Sequence, residues 1–379
     1  MHLFPVYPLF ELEPVRGEGC YVYDKDDRSY LDFYGGHAVI SIGHSHPHYV
    51  KRLQEQIARL GFYSNSVQNP LQEELAHKLG QLSGCPDYQL FLCNSGAEAN
   101  ENALKVVSFA TGKQRIVAFK GAFHGRTSAA VNITDNDRIK APINSTFPVD
   151  FLPLNDLAAV EQSLQQGDVA AVIVEGIQGI AGIYVPDASF LEGVAQLCKQ
   201  YDACLILDEI QSGFGRSGRF FAFQYADIEP DLITMAKGMG NGFPVGGVLL
   251  HPRFEATYGL LGTTFRGNHL ACAATLAVLE VLEQENLVEH AAQLGEYLLT
   301  QLKTLPGIQE VRGKGLMLGL QLTQEAAPLR KRLLFEHGVF TGSAAQKQTV
   351  RLLPPLNIKQ TEAETVVTKL QEVLSVPAV

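Results

Sequence analysis

The sequence predicts an α/β fold with a mostly parallel central β-sheet and helices on both faces of the sheet. Between about residues 85 and 250, short apolar segments alternate with segments of helical periodicity. The apolar segments are continuous rather than alternating in polarity, as in strands that are buried on both faces. Strands separated by helices are typical of β-α-β units, in which neighbouring strands run parallel.

The elements of this central sheet can be placed along the chain. Helical segments between the strands include Ala97–Ala110 and Phe190–Tyr201. The predicted strands are Gln89–Cys93, Arg115–Phe119, Val169–Val174, Ala203–Leu207, Leu232–Ala236 and Val245–Leu250.

Both ends of the chain predict a second, smaller α+β unit. Tyr21–Phe33 contains two apolar segments around the polar turn Asp24–Asp27, which indicates a β-hairpin. From Arg266 to Leu282 runs a helix that is apolar nearly all round and is therefore buried. We expect residues 1–45 to join the small domain, 46–265 to form the large domain, and 266–379 to supply a linking helix and the rest of the small domain. The alternating helices and strands of that last part are Val288–Leu305, Gln309–Leu322, Leu329–His337 and Glu362–Leu374.

Composition excludes several classes of protein. With 46% hydrophobic and 18% charged residues, the 379-residue chain has enough apolar material for a large core. A net charge of −10 argues against a surface for nucleic acid or an anionic membrane. No apolar segment approaches the roughly 18 residues of a membrane-spanning helix, and Met1–Phe10 does not resemble a secretory signal. The six cysteines contain no C-x-x-C pair and are expected to be reduced thiols in the cytoplasm.

Residues 91–98 carry the first candidate site motif, where a strand runs into a helix. Ser95 and Glu98 have the spacing of a capping box, and Gly96 lets the backbone approach a ligand closely. Free N–H groups at such a helix start can bind a phosphate. Taken alone, the pattern also fits an ordinary helix cap.

Two further motifs end apolar strands with charged side chains. Asp208 follows a strand, and burying an acid is costly unless a cation meets it. Lys237 follows the next strand and precedes three glycines within five residues. Desolvation lowers the pKa of such a lysine and makes its amine a nucleophile toward carbonyls. The alternatives are a helix cap or an internal ion pair for the acid and a surface position for the lysine.

Residues 122–127 carry the fourth motif, with the aromatic Phe123 and the guanidinium of Arg126, which suits a carboxylate. A phosphate-binding turn, a strand-end acid, a strand-end lysine and an aromatic ring together predict a site for pyridoxal phosphate. That cofactor needs its phosphate anchored, its pyridinium nitrogen paired with a carboxylate, its ring stacked and its aldehyde held by a lysine.

A competing motif follows Asp208. Gly213, Gly215 and Gly218 match G-x-G-x-x-G, the pattern of dinucleotide-binding turns. Two carboxylates precede it where a pyrophosphate would lie, and the residues after it do not predict a helix start. A nicotinamide-dependent oxidoreductase is therefore kept only as an alternative.

With these motifs in place, the chain resembles the ornithine-type (class III) aminotransferases over nearly its whole length, and most closely those that act on acetylornithine. The resemblance implies a fold-type I enzyme that uses pyridoxal 5'-phosphate and forms a homodimer with active sites at the subunit interface. The segments that extend the resemblance are Leu31–Gly36, Gly43–Pro47, Gly262–Asn268 and Val350–Pro355.

The resemblance also implies roles for individual residues. Lys237 would form the Schiff base with the cofactor and move the proton, and Asp208 would keep the pyridine nitrogen protonated. The other implied cofactor contacts are Gly96 and Ala97 at the phosphate, Thr264 reaching it from the partner subunit, Phe123 on the ring face and Gln211 beside the ring hydroxyl. Arg126 would bind the carboxylate of acetylornithine and later the far carboxylate of 2-oxoglutarate. Arg351 would bind the near carboxylate of 2-oxoglutarate or glutamate. Thr263 and Tyr7 are the other implied substrate contacts.

One position departs from the family pattern. The family usually reads Val-Glu-Pro-x-Gln-Gly-Glu-x-Gly, whereas Val174–Gly182 of this chain carries Ile180 in place of the second glutamate. In relatives that glutamate masks the arginine corresponding to Arg351 while the ω-amino substrate binds. Arg351 is thus expected to stay unmasked or to find another acid, of which Glu175 is the nearest in sequence. The alternative is that a neighbouring loop or the partner subunit supplies the missing acid. Easy binding of glutamate and weak rejection of α-amino acids would follow.

The predicted activity is transfer of the ω-amino group of N-acetylornithine, or a close N-acylornithine, to 2-oxoglutarate. The products would be the N-acyl-glutamate semialdehyde and glutamate, in arginine biosynthesis. N-succinylornithine as substrate, and an aminomutase or racemase on the same scaffold, are the alternatives. The alternating His44, His46 and His48 are interpreted as part of a structural turn, and no metal is predicted.

Overall fold

The computed structural model describes residues 1–375, which form two β-sheets of seven strands each. In chain order the strands are β1 (Pro14–Glu18), β2 (Tyr21–Asp24), β3 (Ser29–Phe33), β4 (Gln89–Cys93), β5 (Arg115–Phe119), β6 (Val149–Leu152), β7 (Val169–Glu175), β8 (Cys204–Asp208), β9 (Leu232–Met235), β10 (Gly246–Leu250), β11 (Ile308–Lys314), β12 (Met317–Leu322), β13 (Val339–Ser343) and β14 (Thr349–Leu352).

The helices cover both the large sheet and the small one. They are α1 (Gly35–Ala38), α2 (Pro47–Arg59), α3 (Pro70–Ser83), α4 (Gly96–Thr111), α5 (Ser128–Asn132), α6 (Leu157–Leu164), α7 (Gly179–Gly182), α8 (Ala188–Gln200), α9 (His269–Gln284), α10 (Leu287–Leu302), α11 (Ala326–Phe335) and α12 (Gln360–Ser375). Four short 3₁₀ turns lie at Asp137–Ile139, Pro142–Asn144, Ala222–Tyr225 and Lys237–Met239.

The large sheet has the order β4-β10-β9-β8-β7-β5-β6 and is mostly parallel. Strands β6, β5, β7, β8 and β9 pair in parallel, whereas β10 runs antiparallel to both β9 and β4. All residues of β7, β8 and β9 are buried, as continuous apolar strands under two layers of helices should be. The predicted α/β fold with a mostly parallel sheet is confirmed.

The small sheet has the order β1-β2-β3-β13-β14-β12-β11 and draws on both ends of the chain. Strands β2 and β3 form the predicted antiparallel hairpin, and β3 pairs in parallel with β13. We therefore propose the division expected from the sequence, with residues 1–45 and 266–379 in the small domain and 46–265 in the large domain.

Helix α9 is the buried linking element. Eleven of its sixteen residues are buried, and the helix packs against α2, α3 and α10. Asn268 begins it, since the Asn268 side-chain oxygen accepts the N–H of Ala271 at 2.9 Å. Among residues 1–375, no helix combines the length and the apolarity needed to cross a lipid bilayer.

The glycines of the competing dinucleotide motif are packing residues. A Cβ atom on Gly215 would lie 3.1 Å from the Val288 side chain, and one on Gly218 would lie 2.9 Å from Ala292. Both contacts are with α10. These two glycines thus allow a turn-rich loop to pack against α10. No α-helix begins directly after the loop, as a dinucleotide-binding motif would require.

Candidate active site

Three neighbouring strands of the large sheet lead to charged side chains at one edge. Glu175 ends β7 and Asp208 ends β8, and the two residues are paired in the strand register. Lys237 follows β9, which ends at Met235. Because parallel strands present their carboxyl ends at the same edge, these side chains line one cavity of about 280 Å³. The full lining is Gly96, Ala97, Phe123, His124, Gly125, Arg126, Glu175, Ile180, Asp208, Ile210, Gln211 and Lys237.

Asp208 is a buried carboxylate, 4% exposed, that is held by three donors. Its Oδ2 accepts from Asn100 Nδ2 at 2.8 Å and from His124 Nδ1 at 2.7 Å. Its Oδ1 accepts the N–H of Ile210 at 3.1 Å. A carboxylate has about four acceptor sites, so one site on Oδ1 remains for a donor in the cavity.

Lys237 opens a 3₁₀ turn with φ of +46°, a left-handed conformation that is unfavourable for a residue with a Cβ atom. The turn is fixed by the N-terminal segment, since Ser41 Oγ donates to the carbonyl of Gly238 at 2.7 Å. Burial lowers the pKa of Lys237, and Asp208 and Glu175 oppose that shift because a nearby negative charge favours the ammonium form.

The start of α4 forms the polar end of the cavity. Ser95 caps this helix by accepting the N–H of Glu98 at 3.2 Å, and Glu98 accepts the N–H of Asn94 at 2.7 Å. The Ser95 half of the expected capping box is therefore formed, whereas Glu98 accepts the N–H of Asn94 in place of that of Ser95. The N–H groups of Gly96 and Ala97 belong to the first turn and have no acceptor within the helix. Both residues line the cavity.

Position 125 requires glycine because the segment of residues 122–127 approaches the first turn of α4 closely. A Cβ atom on Gly125 would lie 2.8 Å from the Ala97 Cβ, and Gly125 has φ of +140°. The segment therefore lies against the start of α4. Its neighbours Phe123 and Arg126 line the cavity, with Phe123 partly buried and Arg126 exposed.

Glu175 is buried and oriented by the backbone. One of its oxygens accepts the N–H of Phe123 at 3.0 Å, and the other accepts the N–H of Gly179 at 2.9 Å. Burial raises the pKa of Glu175. The carboxyl group thus holds Phe123 at the cavity and fixes the start of α7, which carries Ile180.

Arg351 lies on β14 and is 1% exposed, and its side-chain partner is an amide and not an acid. Arg351 Nη1 donates to the Gln211 side-chain oxygen at 3.2 Å, and Nε donates to the carbonyl of Ser343. Of the two outcomes expected from the sequence, an unmasked Arg351 or a second acid, the described residues fit the first: both oxygens of the candidate acid Glu175 accept backbone N–H groups. Gln211 lines the cavity, whereas Arg351 lies behind it.

Three other expected site residues do not line the cavity within this chain. The Thr263 hydroxyl lies 3.1 Å from Asn94 Nδ2 and 3.3 Å from a Glu98 oxygen, and Thr264 is exposed. Tyr7 is 65% exposed in the extended N-terminal segment.

Sequence reasoning missed two residues that orient Asp208. Asn100 lies one turn into α4, and His124 lies between Phe123 and Gly125. Both are buried, and the Nε2 atom of His124 has no hydrogen-bond partner among the described residues. His124 stood inside a recognised motif, so a buried polar residue there was the available signal.

The three alternating histidines pair with separate carboxylates. His44 lies 2.8 Å from Asp32, and His46 lies 2.9 Å from Glu285. His48 contacts Glu280 on α9. Their ring nitrogens therefore face different partners in the described structure.

The family model described as "Aminotransferase class-III" matches residues 6–374. The chain belongs to the class-III aminotransferases. It is therefore a pyridoxal-phosphate-dependent aminotransferase of fold-type I, as its motifs predicted.

Individual relatives agree with this membership. This class-III aminotransferase is 42% identical to the acetylornithine aminotransferase of Archaeoglobus fulgidus, over 97% of this chain and 96% of the relative. Among solved structures, it matches the acetylornithine aminotransferase of Elizabethkingia anophelis with a TM-score of 0.85 and 31% identity, covering 98% of this chain and 95% of that one. It matches an ornithine aminotransferase of Toxoplasma gondii, described with partial occupancy of PLP at its active site, with a TM-score of 0.90 and 27% identity, covering 98% and 91%.

The cavity fits this cofactor. The amides of α4 suit its phosphate, the remaining acceptor site of Asp208 suits its pyridinium nitrogen, and Lys237 supplies an amine of lowered pKa. The buried polar network behind Asp208 also explains why an acid can end this strand without a cationic partner.

Proposed function

We propose that this class-III aminotransferase transfers the ω-amino group of N-acetylornithine to 2-oxoglutarate, giving N-acetylglutamate semialdehyde and glutamate in arginine biosynthesis. The observation that carries the proposal is the convergence of Lys237, Asp208 and Arg126 on one cavity. The names of the curated relatives, at 42% and 39% identity over nearly the whole chain, supply the substrate.

The first set of proposed roles concerns the cofactor. Gly96 and Ala97 would bind its phosphate through backbone N–H groups, and Phe123 would stack on its ring. Asp208 would hold the proton on the pyridine nitrogen, because an ionised carboxylate stabilises the protonated ring. Gln211 would lie beside the ring hydroxyl. When bound, pyridoxal phosphate supplies an electron sink for the C–H bond that breaks next to the substrate nitrogen.

Lys237 is proposed to move the proton. Its Nζ would remove a proton from the carbon that carries the transferred amino group and return it on the cofactor side. A lysine with a pKa below its ordinary value releases and accepts protons more readily near neutral pH. The strained backbone at Lys237 and its attachment through Ser41 would keep the amine at a fixed position.

Two arginines are proposed to hold substrate carboxylates. Arg126 lies exposed at the cavity wall, where it would bind the carboxylate of the acylornithine and then the far carboxylate of 2-oxoglutarate. Arg351 would bind the near carboxylate of 2-oxoglutarate or glutamate. Thr263 and Tyr7 would contact the substrate at the entrance.

We also propose a homodimer with the active sites at the subunit interface, in the cytoplasm. Thr264 is exposed and precedes Phe265, which is 58% exposed. The ring centroid of Phe265 lies 5.4 Å from that of Phe62, which is also exposed. An exposed aromatic pair next to a phosphate-binding candidate favours a partner subunit there, to whose cofactor Thr264 would contribute. All six cysteines are free and buried, in keeping with a reducing compartment.

A coupled assay for glutamate, with purified protein, N-acetyl-L-ornithine and 2-oxoglutarate, tests the proposal. Turnover should exceed that of N-acetyl-L-lysine, and addition of glutamate should bleach the absorbance of the lysine-bound cofactor. N-succinyl-L-ornithine is the second candidate, favoured by a buried arginine without an acidic partner, and belongs in the same assay. A higher kcat/KM for the succinyl compound would replace the proposed substrate, and absence of bleaching by glutamate would contradict an aminotransferase that uses this donor.

A further inference from the structure

Arg351 is buried between two neighbouring strands of the small sheet. On the two neighbouring strands, Gly319 and Gly342 stand opposite it in register, and a Cβ atom on Gly342 would lie 3.2 Å from the Arg351 Cβ. The glycines thus leave space for a large side chain inside the small sheet. Within residues 1–375 the guanidinium forms no ion pair, and burial lowers the pKa of Arg351 to about 10. A buried cation without an acid is unusual, since the charge is costly to desolvate.

The orientation of the Gln211 amide is determined by its two partners. Its Nε2 donates to the carbonyl of His37 at 3.2 Å, and a carbonyl can only accept. Its oxygen therefore faces Arg351 Nη1, which can only donate. The bridge is neutral. It orients the guanidinium without cancelling its charge.

The backbone of α7 provides the space for this bridge. A Cβ atom on Gly179 would lie 1.9 Å from the Gln211 oxygen, so any other residue at 179 would displace the amide. The next residue, Ile180, lines the cavity and brings no charge. Glu175 is occupied by the N–H groups of Phe123 and Gly179. Glu175 therefore forms no ion pair with Arg351.

We propose that Gln211 is a specificity-determining residue that holds Arg351 in place as an uncompensated cation, ready for an α-carboxylate at every stage of the reaction. The inference rests on the proposed function and adds to it. An incoming carboxylate replaces one neutral hydrogen bond of Arg351 and does not have to break an ion pair. The enzyme thus binds glutamate readily and discriminates weakly between glutamate and other small α-carboxylates.

The decisive variant is Gln211→Glu, which places a negative charge where the amide oxygen accepts from Arg351. The holoenzyme is titrated calorimetrically with glutarate, an unreactive dicarboxylate, and mixed with glutamate or N-acetyl-L-ornithine in separate single turnovers. We expect the dissociation constants of glutarate and glutamate to rise at least tenfold more than that of N-acetyl-L-ornithine. Equal weakening of all three ligands would overturn the proposal, since Gln211 would then serve only the cofactor or the fold.

A second pair of variants separates charge from shape. Ile180→Glu introduces an acid from α7, and Ile180→Gln is its neutral control of equal length. The acid should weaken glutarate binding at least tenfold relative to the glutamine control. Equal binding in both would overturn the proposal. Because the glutarate titration needs no acylornithine, wild-type protein that fails to react with N-acetyl-L-ornithine would reject the proposed substrate without deciding the role of Gln211.

Discussion

His124 Nδ1 lies 2.7 Å from Asp208 Oδ2, and both side chains are buried at the end of the cavity. Since an ionised carboxylate can only accept, Nδ1 of His124 must carry the hydrogen of this contact. Asn100 donates to the same oxygen. The two donors fix the plane of the Asp208 carboxylate, so that its other oxygen points to a defined place.

We predict that His124→Phe lowers kcat about tenfold or more through Asp208, as expected when a residue that positions a reacting group is lost. The loss should appear in kcat and not in KM, because Asp208 is not proposed to hold a substrate carboxylate. His124→Gln keeps an N–H donor and should recover part of the loss. Equal loss in the phenylalanine and glutamine variants would limit His124 to a packing role.

Asp208→Asn should keep the shape of the site and remove its charge. We expect a fall in turnover on the order of 3–4 kcal/mol of transition-state stabilisation, as for other preorganised groups. Neighbouring Glu209 cannot compensate, because its oxygens accept from Ser212 Oγ and from the N–H groups of Ala222 and Phe223. Steady-state kinetics with saturating cofactor measures the effect, and a loss below tenfold would contradict the assignment of Asp208.

Lys237→Ala should abolish turnover, with a loss of at least about 10²–10⁴-fold from the missing proton transfer alone. Asp208 and the α4 amides remain, so the variant should still bind pyridoxal phosphate. Absorbance spectra of the dialysed protein would then lack the band of the lysine-bound cofactor. Near-normal transamination by this variant would reject Lys237 as the proton carrier.

The fold and the positions of Asp208 and Lys237 at one cavity were accessible from sequence because their signals are local. Asp208 and Lys237 each follow an apolar strand within a few residues, and β4 and β5 have the predicted bounds. The segment Gln309–Leu322, in contrast, is a hairpin of two strands, turned at Gly315 with φ of +53°. The sequence had predicted a single element over this whole segment and had not assigned a turn to its glycines.

Other elements and contacts lacked a local signal. Strand β6 is only partly buried and carries the charged Asp150, so it has no continuous apolar segment. The Arg351–Gln211 bridge joins residues 140 positions apart, and the His124–Asp208 contact joins residues 84 apart. Such pairs depend on which loops the two sheets bring together, and spacing along the chain does not encode that.

Arg126→Lys should weaken both half-reactions, since a lysine ammonium cannot reproduce the two parallel hydrogen bonds of a guanidinium on a carboxylate. We expect a rise of about ten- to a hundredfold in KM, corresponding to about 1.5–3 kcal/mol for a hydrogen bond to a charged group. The measurement is KM for N-acetyl-L-ornithine and for 2-oxoglutarate separately. A defect confined to one substrate would give Arg126 a narrower role.

Glu209→Gln tests whether the acid next to Asp208 serves the fold. Burial raises the pKa of Glu209 to about 7 from 4.5, although its three donors favour the ionised form. Since the folded-state pKa is the higher one, the native state binds more protons between these values, and the stabilising contribution of Glu209 is lost as pH rises through about 7.

The glutamine variant cannot titrate, and its amide N–H₂ faces donors, at a cost of about 1–3 kcal/mol. Thermal unfolding of both proteins between pH 5 and pH 8, about the window of that titration, should give a Tm gap that narrows as pH rises. Equal narrowing in Glu192→Gln, a change in an acid outside the cavity lining, would point to a general charge effect. If the Tm difference between the two proteins instead widens as pH rises, the prediction is wrong. The donors from Ser212, Ala222 and Phe223 would then outweigh desolvation and keep the Glu209 carboxylate charged.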